Sequence, residues 1–236
     1  MILFAAGNPF MTAYLQSDWF GKGIFCGLFL LSGLSWALLL YKMWLLSQVQ
    51  RISMQFKEQF HETADLLHLQ FSPKKSFAEI PHPFFEIYKS LKKNTLQIMD
   101  RNHYLNGDSQ ETLFLSQADL DLVTSNTYST IAFQHKLLEK NLFILSTIVT
   151  LGPFLGLLGT VWGILLTFSH LQHAELSASM LSGLSMALAT TVIGLVVAIP
   201  ALIGYNYLKN RSLEYKKDME HFSDFLLTNL ELKHRK

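Results

Sequence analysis

Thr160 and Thr191 each lie well inside a long apolar run within residues 141–208. That window has no Lys or Arg, and its one acid, Glu175, sits in the polar hairpin between the runs. A hydroxyl donates and accepts, so it can hydrogen-bond a carboxylate in either charge state or hold a water chain. Its plainer role is structural, since threonines inside helices commonly bond their own i−4 carbonyl and pack. His170, His173 and Glu175 form a second candidate set at the edge of the runs. An i,i+3 His pair shares a helix face and can hold a metal, but the ordinary reading of these residues is a solvated hairpin. Ser182 and Ser185 offer hydroxyls for an intramembrane protease. Met186 follows Ser185, however, and the nearby histidines stand at the membrane edge. No metal and no cofactor is expected.

The elements that must position these groups follow from length and spacing. Each run is long enough to cross a bilayer, which takes roughly 20 apolar residues. The small residues within them are ordered. Gly152, Gly156, Thr160, Gly163 and Thr167 follow one another by four, four, three and four, and Gly183, Ala187, Thr191, Gly194, Ala198 and Ala201 keep the same rhythm. That spacing holds each set on one helix face. Lipid does not require small side chains, whereas close backbone approach does. Each stripe is therefore a face for a neighbouring helix or for a narrow lumen.

A third apolar stretch, IFCGLFLLSGLSWALLLY, is bracketed by Lys22 and Lys42, which can snorkel, and by Trp19, Tyr41 and Trp44 as interface aromatics. The fold class is thus an all-α integral membrane protein with three transmembrane helices, two of them extending into long cytoplasmic helices. The divisions are an external N-terminal segment (1–22), transmembrane helix 1 (23–45), a cytoplasmic helical region (46–140), transmembrane helix 2 (141–168), an external hairpin (169–179), transmembrane helix 3 (180–208) and a cytoplasmic helical tail (209–236). Within them Gln48–Leu69 continues span one, and residues 71–84, with three prolines, break the chain. Phe84, Tyr88, Leu91, Thr95 and Ile98 mark a helix, and Glu111–Lys140 reads as a helix leading straight into span two. The tail carries Tyr215, Met219, Phe222 and Leu226 at helical spacing.

Lys and Arg are absent from the first 21 residues and from the hairpin, and concentrate in 47–140 and in the tail. By the positive-inside rule those two regions are cytoplasmic, with the N-terminus outside. The N-terminal stretch has no basic region of a signal peptide and reads as mature protein, an amphipathic segment with Met1, Phe4, Phe10, Met11, Tyr14 and Leu15 against lipid and a break at Asn8-Pro9. Half of the residues are hydrophobic and the formal net charge is +1, so bulk charge points to no nucleic-acid partner. One cysteine, Cys26, supports neither a disulfide framework nor a Cys-based metal site and is expected as a buried small apolar residue. Lys74-Lys75 and Lys92-Lys93 read as solvated charges.

GPFLGLLGTVWGI, a hairpin, and then GLSMALATTVIGLVVAIPA together resemble the TolQ/ExbB/MotA proton-channel family, and within it the TolQ/ExbB branch. The likeness is strongest from about Leu138 to Asn210. It implies an inner-membrane subunit of an ion channel or motor, built as a homo-oligomer (a pentamer) around a TolR/ExbD-like single-span partner that supplies an intramembrane Asp. A TonB/TolA-like protein would take up the work. The resemblance assigns Thr160, in GTVWG, and Thr191 to the pore, and it makes Gly152, Gly156, Gly163, Gly183, Ala187, Gly194 and Ala198 pore-side or packing positions. One departure is visible. The branch commonly reads G-I-A-E-A-L where this chain reads Gly183-Leu184-Ser185-Met186-Ala187-Leu188. Met186 stands in the place of the Glu, and a thioether neither relays a proton nor balances a charge. A non-conducting scaffold subunit is the alternative.

Overall fold

The computed structural model describes residues 9–61, 82–106, 115–172 and 178–234. Every element among the described residues is an α-helix: α1 (Pro9–Gln16), α2 (Trp19–His61), α3 (Pro83–Asn106), α4 (Gln117–Glu139), α5 (Leu142–Gln172) and α6 (Ala178–His234). Three of these, α2, α5 and α6, contain stretches long and apolar enough to cross a membrane. The chain is therefore an all-α membrane protein. It divides into two compact units, one formed by residues 1–42 and 141–208 and the other by residues 43–140 and 209–236.

The first unit holds the apolar helices. Asp18 caps α2, its Oδ1 accepting a hydrogen bond from the Gly21 amide at 3.0 Å, which satisfies one of the donors that every helix start leaves free. α5 is apolar on all sides and runs continuously through Pro153, as a helix solvated by lipid can. Of the N-terminal segment, Pro9 opens α1. Phe10, Met11, Tyr14 and Leu15 are exposed, whereas Ala13 is fully buried. Met1, Phe4 and Asn8 lie outside the described residues. Ala13 joins Phe25, Met186 and Ala189 in a small core, with Trp162 and Ile193 packed against it.

Two expectations fail here. Cys26 is exposed, because its neighbours Phe25 and Leu28 take the inward positions and a one-residue step turns the next side chain away. Lys42 does not reach outward but is buried and engaged. Trp19, Tyr41 and Trp44 are exposed, as interface aromatics are.

The second unit is a bundle of the C-terminal part of α2 with α3, α4 and the C-terminal part of α6. Pro83 opens α3, where its missing N–H costs nothing. The periodic residues Phe84, Tyr88, Leu91, Thr95 and Ile98 are all buried, as are Tyr215, Met219, Phe222 and Leu226. Aromatic rings tie three helices together: Phe222 lies 5.1 Å from Phe84 and 6.0 Å from Phe56, centroid to centroid. Ser53 and Tyr215 share a buried hydrogen bond. Lys92 sits over the Tyr88 ring at 5.9 Å, a cation–π contact rather than a purely solvated charge.

α4 opens on a capping box. The Ser116 hydroxyl accepts from the Asp119 amide, and the Asp119 carboxylate accepts from the Ser116 amide. Arg101 at 2.9 Å and Asn102 at 3.1 Å bind the same carboxylate from α3. Burial alone would raise this carboxyl, but the hydrogen bonds from Ser116 and Asn102 and the Arg101 charge outweigh it and hold it below the usual aspartate range.

The helix expected to run from Glu111 through Lys140 straight into span two is interrupted. α4 stops at Glu139, and Asn141 adopts φ 71° before α5 begins at Leu142. Lys140 has already left the helical conformation, with ψ 132°, and Asn is one of the few residues that visits the left-handed region readily, so these two residues break the helix where the apolar periodicity does not. Residues 111–114 lie outside the described residues, as do 62–81, which take in most of the proline-rich stretch, Lys74-Lys75 and the end of the helix expected to reach Leu69.

Candidate functional site

The two small-residue stripes face each other. A Cβ placed on Gly152 would lie 3.1 Å from the Gly194 carbonyl oxygen and 3.3 Å from Ala198 Cβ. At Gly156 it would meet Thr190 O and Thr191 Cα, each at 3.1 Å, and at Gly163 it would meet Gly183 O at 2.5 Å and Ala187 Cβ at 2.9 Å. The reverse holds from α6, where a Cβ on Gly183 would approach Thr167 Oγ1 to 2.6 Å and one on Gly194 would approach Gly152 O to 2.6 Å. α5 and α6 therefore run antiparallel with backbones in contact along this seam, a packing open only to residues without a bulky side chain. Of the two uses the spacing allowed for the stripes, a neighbouring helix covers these positions.

The threonines lie on and beside the seam. Thr191 is half-buried, and its hydroxyl donates across to the Gly156 carbonyl at 3.3 Å as well as back to Ala187 O at 3.5 Å. Thr160 is half-buried on α5 between Gly156 and Gly163, and its hydroxyl donates to Leu157 O of its own helix at 2.6 Å. Thr167 donates to Gly163 O at 2.8 Å. Both candidate hydroxyls keep lone pairs to accept, so either could accept a hydrogen bond from a partnering group or a water without first giving up its own donated bond. Thr190, which the spacing did not single out, is fully buried, abuts Gly159, and donates to Met186 O and Ala187 O.

Met186 does not sit on the seam. It is buried in the small core, where its Sδ abuts Gly21 of α2. Beside it lies a group the sequence reading passed over. Asp18 receives the Gly21 amide on Oδ1, and its Oδ2 accepts the Trp162 indole N–H at 3.0 Å. Phe20 packs on the Trp162 ring with centroids 4.5 Å apart. The Ser182 hydroxyl donates to the Gln16 carbonyl at 3.0 Å and so serves as a tie between helices. An Asp directly before an apolar helix is a cap signal readable from sequence. The His170 side chain, His173 and Glu175 fall outside the described side chains, and no metal-holding group of His, Cys, Asp or Glu exists among the described residues.

A profile of the MotA/TolQ/ExbB proton channel family matches residues 94–221, more than half of the chain and the whole of the seam. The chain belongs to the MotA/TolQ/ExbB proton channel family. Among similar proteins, the biopolymer transport protein ExbB of Aquifex aeolicus is 42% identical over 87 residues, covering 36% of this chain and 59% of its own. The Tol-Pal system protein TolQ of Haemophilus influenzae is 38% identical over 95 residues, covering 39% and 42%. TolQ of Pseudomonas aeruginosa is 44% identical over 85 residues, covering 35% and 36%. The matched stretches thus span between about a third and three fifths of these relatives. Family and apolar helices together support a bacterial inner-membrane protein.

Proposed function

We propose that this member of the family is an ion-conducting subunit, with the proton as its ion, that couples the proton-motive force to envelope integrity or outer-membrane transport. The observation that carries the reading is the seam. Two closely packed apolar helices place Thr160 and Thr191 in a stretch with no Asp, Glu, His, Lys or Arg among its described residues, 141–169 and 180–208. Hydroxyls can hydrogen-bond a carboxylate or a water chain but cannot take up a proton and its charge, so the titrating carboxylate comes from another chain. A TolR/ExbD-like single-span partner carrying an intramembrane Asp fits that need, enclosed by a homo-oligomeric ring, a pentamer, with a TonB/TolA-like protein receiving the output. The charge distribution supports a periplasmic N-terminus and cytoplasmic 46–140 and 209–236 regions. Each proton crossing supplies about 2.3 kcal/mol per 100 mV of potential.

The scaffold reading draws support from one observation: Met186 is locked in an apolar core and offers no charge. Reconstituting the chain with its partner in vesicles separates the two. Proton flux under an imposed gradient that vanishes when the partner's intramembrane Asp becomes Asn supports conduction. No flux from a well-assembled complex supports the scaffold.

A further inference from the structure

Asp18 is the only acidic residue in residues 1–42, and Glu175 of the hairpin is the only one in 141–208. Its two carboxylate oxygens are used in different directions. Oδ1 closes the first turn of α2 through the Gly21 amide, and Oδ2 holds the indole N–H of Trp162 on α5. The bond to Trp162 joins groups far apart in sequence and is charge-assisted, a class about twice as strong as neutral hydrogen bonds. Three further contacts converge on the same place. Phe20 packs on Trp162, Ser182 of α6 donates to Gln16 O at the end of α1, and Tyr14 meets Phe25 edge-on at 5.7 Å. A Cβ on Gly21 would run into the flexible end of Met186 and come within 2.9 Å of Asp18 Oδ1. The carboxylate and the Met186 thioether therefore flank one point of α2.

Trp162 is two residues from Thr160 and adjacent to Gly163 of the seam. A helix held at Trp162 cannot rotate or slide there without breaking this bond, so the latch fixes the angle at which the Thr160 hydroxyl is presented. We infer that Asp18 is a positioning residue for conduction: by holding the Trp162 indole it locks α5 to the α1–α2 corner and sets the register of the threonine-bearing seam. This rests on the conducting reading above.

The test uses the full chain assembled with its partner in vesicles, with flux normalised to the amount of assembled complex. Asp18→Asn keeps the shape and one acceptor but removes the charge. Trp162→Phe keeps a ring for Phe20 and removes the N–H donor together with part of the indole's packing surface. Each is expected to lower flux about tenfold, the loss that a charge-assisted hydrogen bond at the weak end of its range carries, and the double variant is expected to be no worse than either single one, because both remove the same bond. In a chain whose Trp19, Trp36 and Trp44 are replaced by Phe, Asp18→Asn is expected to shift the Trp162 emission. A loss of packing alone would lower the yield of complex and leave flux per complex unchanged. Wild-type flux in both single variants, or losses that multiply in the double variant, overturns the positioning role while the conducting reading stands. An inert wild-type complex overturns both.

Discussion

At the scale of single residues, the seam separates hydroxyls by what they bond. Thr191 spends its donor on a carbonyl of the facing helix, whereas Thr160 spends its donor within α5. Thr191→Val therefore removes an interhelical bond worth about 1 kcal/mol as well as a polar group. Thr160→Val removes the polar group and a bond within α5 only. Both variants are expected to assemble in normal amounts and to lose at least about tenfold in flux, with Thr191→Val also lowering the thermal midpoint of the complex slightly. Normal flux in either would remove that threonine from the path. In the sequence these two residues stand out by their places on the small-residue stripes, and only the family resemblance assigns them to a pore. Asp18 was not legible as a site, because it stands just outside the apolar stretch of α2 and its partner is 144 positions away. Nor was the setting of Met186: the pattern of α6 gives its place along the helix but not which neighbour covers it.

At the scale of elements, the stripes of small residues set the distance between α5 and α6. Gly163→Val would place a branched side chain where even a Cβ meets Gly183 O at 2.5 Å. Overpacking of this kind costs about 1–3 kcal/mol or more, and here the obstacle is backbone, which cannot rotate aside. The variant is expected to assemble poorly or to lose several degrees of thermal midpoint, whereas Gly23→Ala, in open space on α2, should change neither. The 3.6-residue rhythm revealed these faces without revealing what covers them, and the same rhythm hid the break at Asn141, because apolar spacing continues across a residue whose backbone does not.

The α3–α4 corner carries an acid-sensitive contact. The folded Asp119 carboxyl titrates below its ordinary value of 3.8, so the stability it contributes is complete above that value and is lost as pH falls through the folded one. Asp119→Asn is expected to destabilise the chain at neutral pH by on the order of 1–2 kcal/mol and to flatten the acid limb of a thermal-midpoint-against-pH profile. An unchanged acid limb would show that this corner does not govern acid stability.

At the scale of the whole molecule, the single chain leaves wide apolar surfaces bare. Phe154, Leu157, Val161 and Leu165 on α5 and Leu188, Val192, Val196 and Ile203 on α6 are all exposed. Lipid can cover such surfaces, and so can further copies of the chain. The proposed ring predicts that native mass measurement of the solubilised complex finds five copies, and a monomer under conditions that preserve assembly would contradict it. The three spans and their all-α class were readable because a bilayer sets length and apolarity so strictly. The arrangement of copies was not readable, since exposed apolar side chains serve lipid and protein neighbours alike.

The most direct test of the account is proton flux into vesicles holding the assembled complex, compared for the wild type, Thr160→Val, Thr191→Val and Thr191→Ser. The account predicts conduction by the wild type, loss in both valine variants and recovery with serine, which restores the hydroxyl without the methyl. Equal flux from all four, or none from a fully assembled wild-type complex, would contradict it.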